Sequence, residues 1–214
     1  MSDAEVQAIG RRIYIDIDDV LSQTLAAMLD LFADLYDRRV PYEAFVHFDM
    51  GETLGISDEQ LDAFFELVHK DALLVGMSMV EGARTSLERW TSLGYEIHLL
   101  TGRPPFTEAA TRGWLAEHAL PHVSLTSVDK YGRATSWPEG SPHITLEDVA
   151  KMDFCLAVED SLEVAAFLAE HWEIEIALID QPWNRDTSGL LPAVRDRIIR
   201  CRGWSEVMAR FPAP

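Results

Sequence analysis

Basic residues are scarce in this chain: eighteen Lys and Arg stand against thirty-six Asp and Glu, a formal net charge of −18. Duplex nucleic acid is held mainly by clustered cations on phosphates, so this balance argues against a broad duplex-binding face. It leaves room for a small anionic substrate, because one bound cation can reverse a local potential. Cysteine is scarcer still. Cys155 and Cys201 lie far apart, without the spacing of a thiolate metal site, and Cys155, in "FCLAVED", reads as a small core residue. The seven histidines are read as too scattered for a zinc site. No apolar run approaches a membrane span, and the opening "MSDAEVQAIG" has no apolar signal core. A soluble, cytoplasmic protein is the resulting expectation.

What is present is an alternation. The 214 residues suffice for one large domain, or for a core of about 150 residues carrying an insertion. Short apolar runs ("RRIYIDID", "YEIHLLTGR", "HVSLTSV", "FCLAVED", "EIEIALID") read as strands, with amphipathic helices between them. Leu21, Leu25, Met28, Phe32 and Leu35 have helical spacing after the first strand, so a helix is expected from near Val20 with Asp19 as its N-cap. Residues 41–80 contain no convincing strand. There "SDEQLDAFFELVHK" puts Leu61, Phe64, Phe65 and Val68 on one face, and Ser57 and Gln60 have capping-box spacing. A small helical cap over 25–80, inserted into a core of 1–24 and 81–214, is the expected organisation. The fold class is α/β: a three-layer core with a parallel sheet.

Four strands end in polar residues: "DIDD", "TGR", "VDK" and "VED". Ligands of open parallel sheets bind outside the carboxyl ends of the strands, so these endings can converge. Asp16 and Asp18, two apart, leave one face of an extended strand. One can serve as nucleophile and the other as general acid and base. Glu159 and Asp160 can complete a divalent-cation site, with magnesium suited to carboxylates, water and phosphate oxygens. Thr101 with the backbone N–H groups of Gly102 and Arg103 can hold phosphate oxygens, and Lys130 or Lys151 can balance their charge. Each residue has a plainer reading: Thr101 in a turn, Asp160 as a cap before "SLE", Lys130 as a solvated lysine. "YEAFVHFDM", with Phe45, His47, Phe48 and Met50, reads equally as a substrate pocket or as packing. "QPWNR" reads as a buttressing loop through Asn184 and Arg185, with Trp183 as packing.

"DIDDVL", "LLTGR", a downstream lysine and "AVEDS", in this order over roughly residues 11–180, resemble the four motifs of the haloacid dehalogenase-like phosphohydrolases. The insertion after the first motif, "EGARTSLERWTSLGYEIHLLTGR" and "LIDQPWNR…RGW" are similar to the cytosolic type C 5′-(deoxy)nucleotidases and their bacterial relatives. The resemblance implies that Asp16 attacks phosphorus, that Asp18 protonates the leaving oxygen and then activates water, and that Thr101 and Lys130 bind the phosphoryl group. It implies magnesium on Asp16, the Asp18 carbonyl and Asp160, with Glu159 a ligand or bonded to a bound water. Two departures stand out. Lys130 is preferred to Lys151 because it follows a strand, and the last motif is "EDS" where the nucleotidases have two aspartates.

The expected function is therefore magnesium-dependent hydrolysis of a small phosphomonoester, with a 5′-nucleotide leading. A sugar- or metabolite-phosphate phosphatase, a non-hydrolytic magnesium- or nucleotide-binding regulator and, less favoured, a dehalogenase are the alternatives. The expected partners are a small phosphorylated substrate and, as an assembly the sequence leaves open, a homodimer.

Overall fold

A computed structural model describes residues 11–47 and 49–214 of the chain. Its centre is a seven-stranded sheet: β1 (Arg12–Ile15), β2 (Glu96–Thr101), β3 (Ser124–Asp129), β4 (Ile144–Thr145), β5 (Leu156–Glu159), β6 (Ile176–Ile179) and β7 (Ile198–Cys201). The order is β4-β3-β2-β1-β5-β6-β7 and every pairing is parallel. The register sets Ile13 beside Ile97 and Leu156, and Ile15 beside Leu99 and Val158. The order reverses beside β1, between β2 and β5, and such a switch point is where open parallel sheets form their crevice.

Alternation along β1 accounts for the layers. Ile13 and Ile15 face one apolar cluster with Trp90, Trp114 and Trp204, whereas Tyr14 faces the other with Leu100, Val164 and Trp172. Both faces of a parallel sheet are covered by helices, so its strands read as nearly continuous apolar runs. Each fully buried Ile contributes about 1.5–3 kcal/mol relative to exposure. β4 and β7 are absent from the sequence-based expectation. β4 has only two residues, and β7 lies at the sheet edge with Arg200 in its short run.

Between β1 and β2 the chain is helical: α1 (Thr24–Tyr36), α2 (Met50–Leu54), α3 (Asp58–Val68), α4 (Asp71–Gly76) and α5 (Ala83–Ser92). Leu25, Phe32, Phe45, Leu54, Phe64 and Val68 form a separate apolar cluster, against which Trp183 also packs. The Ser57–Gln60 capping box is formed in both directions. Phe45 is buried in this cluster and Met50 packs on it, so these two act as packing; Phe48 lies outside the described residues. Gly82 (φ +82°) begins α5 in the left-handed region, where an added Cβ would meet Trp204 at 3.1 Å.

The first helix starts later than its spacing predicts. Residues 17–23 make a tight turn in which Leu21 and Ser22 both donate to the Ile17 carbonyl, and Asp19 adopts φ +53°. Leu21 therefore belongs to the sheet's core and not to a helix face. Asp19 still caps α1, but from six residues away, by accepting the Leu25 N–H at 3.1 Å. After β2 follow α6 (Glu108–Glu117), α7 (Leu146–Val149), α8 (Leu162–His171), α9 (Pro192–Arg195) and α10 (Trp204–Arg210).

Candidate active site

Strand β1 ends at Ile15, but the ladder runs one residue further, since the Asp16 N–H donates to Val158 at 3.0 Å. That bond holds Asp16 between β2 and β5, where it is only 5% exposed. Asp18 is beyond the sheet, in the turn, so strand alternation does not set its direction. The two carboxylates meet different cations: Lys130 Nζ is 2.9 Å from Asp16, and Arg103 Nη2 is 2.8 Å from Asp18.

Lys130, directly after β3, is buried and also pairs with Glu159. Glu159 ends β5 with both oxygens engaged: Tyr14 and Lys130 on Oε1, and the backbone N–H groups of Asp160 and Ser161 on Oε2 at 3.2 and 3.3 Å. A carboxylate so occupied suits holding Lys130 better than direct ligation. Asp160 is not a helix cap. Ser161 caps α8 by accepting from Val164, which leaves the Asp160 carboxylate facing Asp16 and Glu159. One oxygen from each of these three lies within 4.8 Å of the others. By contrast, Lys151 is 74% exposed and pairs with Asp148 at the surface.

Charges in this cluster do not balance. Asp16, Glu159 and Asp160 face one ammonium, a surplus of two negative charges when all are ionised. Burial pushes Asp16 up to about 7, with Glu159 and Asp18 adding to the rise and Lys130 opposing it. Burial and then the Asp16 and Glu159 charges raise Asp160 well above the carboxylate range. Burial works against the Lys130 charge, but Asp16 and Glu159 outweigh it and hold the ammonium far above its ordinary value. Lys130 Nζ makes an ion pair with Asp16 Oδ1, though off the line of a regular hydrogen bond, and that buried oxygen has no other partner. A buried carboxylate oxygen with only an ammonium beside it, an all-oxygen donor set and, when all are ionised, two surplus charges fit a hard divalent cation. Among the described residues this is the one group with metal-ligand proximity. His118 and His122 do stand four apart, but α6 ends at Glu117, so they share no helical face.

Thr101, at the end of β2, is buried and its hydroxyl accepts from the Arg103 N–H at 3.1 Å. One of the two backbone donors expected for phosphate is thereby taken, while the Thr101 hydroxyl keeps its own proton for an acceptor. Gly102 lies against Lys130 and Tyr131, where a Cβ would make ordinary contact at 3.6 Å. Room alone does not require glycine there.

Three contributors escaped the sequence reading. The Arg103 side chain, expected only for its backbone, is the partner of Asp18. Trp183, read as packing, donates its indole N–H to Asp160 at 3.0 Å. Tyr14 bonds Glu159 from inside the sheet layer. Their signals in sequence are an arginine in "TGR", a tryptophan in the noted "QPWNR", and a tyrosine among strand isoleucines. Asn184 does buttress the site: its amide donates to the Asp160 and Ile179 carbonyls, each at 2.7 Å. Arg185 instead reaches Glu43 and Asp180 on the exposed side.

With this geometry in place, the family model for "5′ nucleotidase, deoxy (Pyrimidine), cytosolic type C protein" matches residues 10–139. The chain belongs to that family. Its relatives include a protein of Halalkalibacterium halodurans named "Putative nucleotidase BH1399", 24% identical over 93% of this chain and 91% of that protein. Among solved structures, a haloacid dehalogenase-like family hydrolase of Streptococcus pneumoniae, SP0104, superposes with a TM-score of 0.60 at 12% identity, covering 95% of this chain and 99% of the other. The HAD-hydrolase YfnB of Bacillus subtilis, described as bound to magnesium, gives 0.55 at 12% identity over 95% and 99%. At such identities the structures speak for the fold alone, and the family match speaks for a phosphohydrolase of the nucleotidase kind. No helix among the described residues is long and apolar enough to cross a membrane.

Proposed function

We propose that this member of the nucleotidase family hydrolyses a small phosphomonoester through an aspartyl-phosphate on Asp16, with magnesium as its cation. The observation that carries the reading is the position of Asp16: buried at the switch point, with an oxygen whose one partner is the Lys130 ammonium. Asp16, Asp160 and the Asp18 carbonyl would hold magnesium, which when bound neutralises the surplus carboxylate charge and polarises the phosphoryl group.

In the first half-reaction Asp16 attacks phosphorus, the bond to the leaving oxygen breaks, and Asp18 supplies that oxygen's proton. In the second, water attacks the acyl phosphate, Asp18 takes the water's proton, and Asp16 is released. Burial raises Asp18, but Arg103, the Thr24 hydroxyl and Lys130 together outweigh it and hold Asp18 below the usual carboxylate range, the ionised form that accepts the water's proton. The acid step needs the protonated form, which the negative charge of a bound phosphate beside Asp18 favours. Lys130 and the Thr101 hydroxyl face the phosphoryl oxygens, and such aimed donors act most strongly where water is excluded. The helical segment over 25–80 is the cap that excludes it.

A 5′-nucleotide is the preferred substrate. Phe65 stacks on His69, and His69 meets Phe106 edge-on with ring centroids 5.6 Å apart. His69 feels the charges of Asp18 and Arg103, and Phe106 is 54% exposed. An exposed ring against a histidine that senses the acid–base residue suits a planar base on the leaving group. Phosphate release from a panel of nucleoside monophosphates and sugar phosphates, with magnesium and with chelator, tests the reading. Magnesium-dependent release that Asp16→Asn abolishes is expected. An unchanged rate in that variant would sink the mechanism, and release confined to sugar phosphates would replace the substrate.

A further inference from the structure

We infer that Arg103 and Thr24 form a clamp that fixes which oxygen of Asp18 exchanges the proton; the inference rests on the acid–base role proposed for Asp18. Arg103 Nε and Nη2 donate to Asp18 Oδ1 at 2.9 and 2.8 Å, and the Thr24 hydroxyl donates to the same oxygen at 2.6 Å. The other oxygen, Oδ2, receives only one long contact from Arg103, at 3.3 Å. Three donors saturate Oδ1. Oδ2 is the oxygen left to hand a proton to the leaving group and to take one from water.

The clamp is itself held rigidly. Arg103 is 5% exposed and uses its remaining N–H groups on the Ser22 and Thr111 hydroxyls, at 3.1 and 3.3 Å, and on the Met77 sulfur at 3.4 Å. Ser22 in turn shares a 2.6 Å hydrogen bond with Thr24. Asp18 needs this support because it lies past the end of β1, where no ladder bond orients its side chain. Only a planar fork can grip one oxygen with two donors and reach three further partners, so lysine keeps the charge but not the geometry.

Arg103 is thus a positioning residue, and leaving-group chemistry separates this role from a structural one. An alkyl ester such as a nucleoside monophosphate needs its leaving oxygen protonated, whereas 4-nitrophenolate departs with little help. kcat/KM reports this first half-reaction. With magnesium present, Arg103→Lys is expected to lower kcat/KM for a nucleoside monophosphate by ~100-fold, the lower range of acid–base contributions. For 4-nitrophenyl phosphate the loss should be under ~5-fold. Thr24→Val, which keeps the volume and deletes one donor, should give the same selectivity at ~10-fold, and it decides the matter if Arg103→Lys does not fold. Equal losses on both esters in the variants, with Asp18→Asn still selective, overturn the clamp alone. Absence of selectivity in Asp18→Asn itself overturns the acid–base reading and the clamp with it.

Discussion

The imbalance of charge around Asp16 makes a stability prediction with a definite sign. A carboxyl held protonated by the fold stabilises it fully below about pH 4, where the unfolded chain is protonated as well. As pH rises, the unfolded chain releases its proton first, and the stability is lost progressively until the folded group titrates. For Asp16 that window runs from the ordinary value of 3.8 to about 7. At about 1.4 kcal/mol per tenfold, the loss is on the order of 4 kcal/mol. Asp16→Asn keeps the shape and removes the charge. In chelator, the variant should therefore be more stable than the native chain by on the order of 4 kcal/mol at pH 7.5, and by only about 1 kcal/mol at pH 4.5. For a chain of this length the gap at pH 7.5 corresponds to roughly 8–16 °C in Tm.

Urea unfolding of both proteins across pH 4.5–8 measures the difference directly, and taking the difference cancels titrations common to both. Magnesium should narrow the gap from the native side. At a hundredfold excess over its Kd a ligand adds about 2.7 kcal/mol, and the variant, lacking one carboxylate of the site, should gain far less. A gap that stays constant with pH would refute the electrostatic account of Asp16. A native chain that gains no stability from magnesium at pH 7.5 would refute the surplus-charge argument for the cation.

Lys130→Met should leave Asp16 and Glu159 buried without their partner, a loss of about 3–5 kcal/mol by analogy with broken buried pairs, and turnover should fall at least ~100-fold. Lys151→Ala, at the surface, should change neither unfolding nor turnover; losing activity there and keeping it in the first variant would exchange the roles of the two lysines. Phe106→Ala should raise KM for nucleoside monophosphates by roughly fivefold or more, the value of about 1 kcal/mol or more of stacking. Inhibition by inorganic phosphate should not move, and a KM that stays put would remove the aromatic wall from substrate binding.

What the sequence discloses about this fold follows from what is local. Ile13 and Ile15 alternate with Tyr14 and announce a buried strand; "TGR" and "VED" announce turns at strand ends. Hydrophobic periodicity and turn chemistry operate over a few residues, so they can be read without the fold. Leu21 fell on the wrong side of this limit. It continues the helical spacing of Leu25 and Met28, yet the turn closed by Ile17 removes it from the helix, and a long-range bond from Val80 to its carbonyl fixes it there. β7 was missed for a similar reason, because its pairing with β6 comes from the sheet and not from its own composition.

The partnerships within the site are the least legible part. Nothing adjacent in sequence tells that Arg103 will meet Asp18, or that Trp183 will meet Asp160, across 85 and 23 positions. Yet the need for partners was readable. An aspartate between strand isoleucines must find a cation or donors, because an isolated buried charge is too costly to keep. The sequence therefore poses the electrostatic problem at Asp16 and Asp18, and the topology solves it. Parallel β1 between β2 and β5 brings three strand ends together, and Lys130 reaches Asp16 from a fourth. When all three carboxylates are ionised the same topology leaves two negative charges over; raised carboxyl groups meet that surplus with protons, and a bound cation would meet it without them.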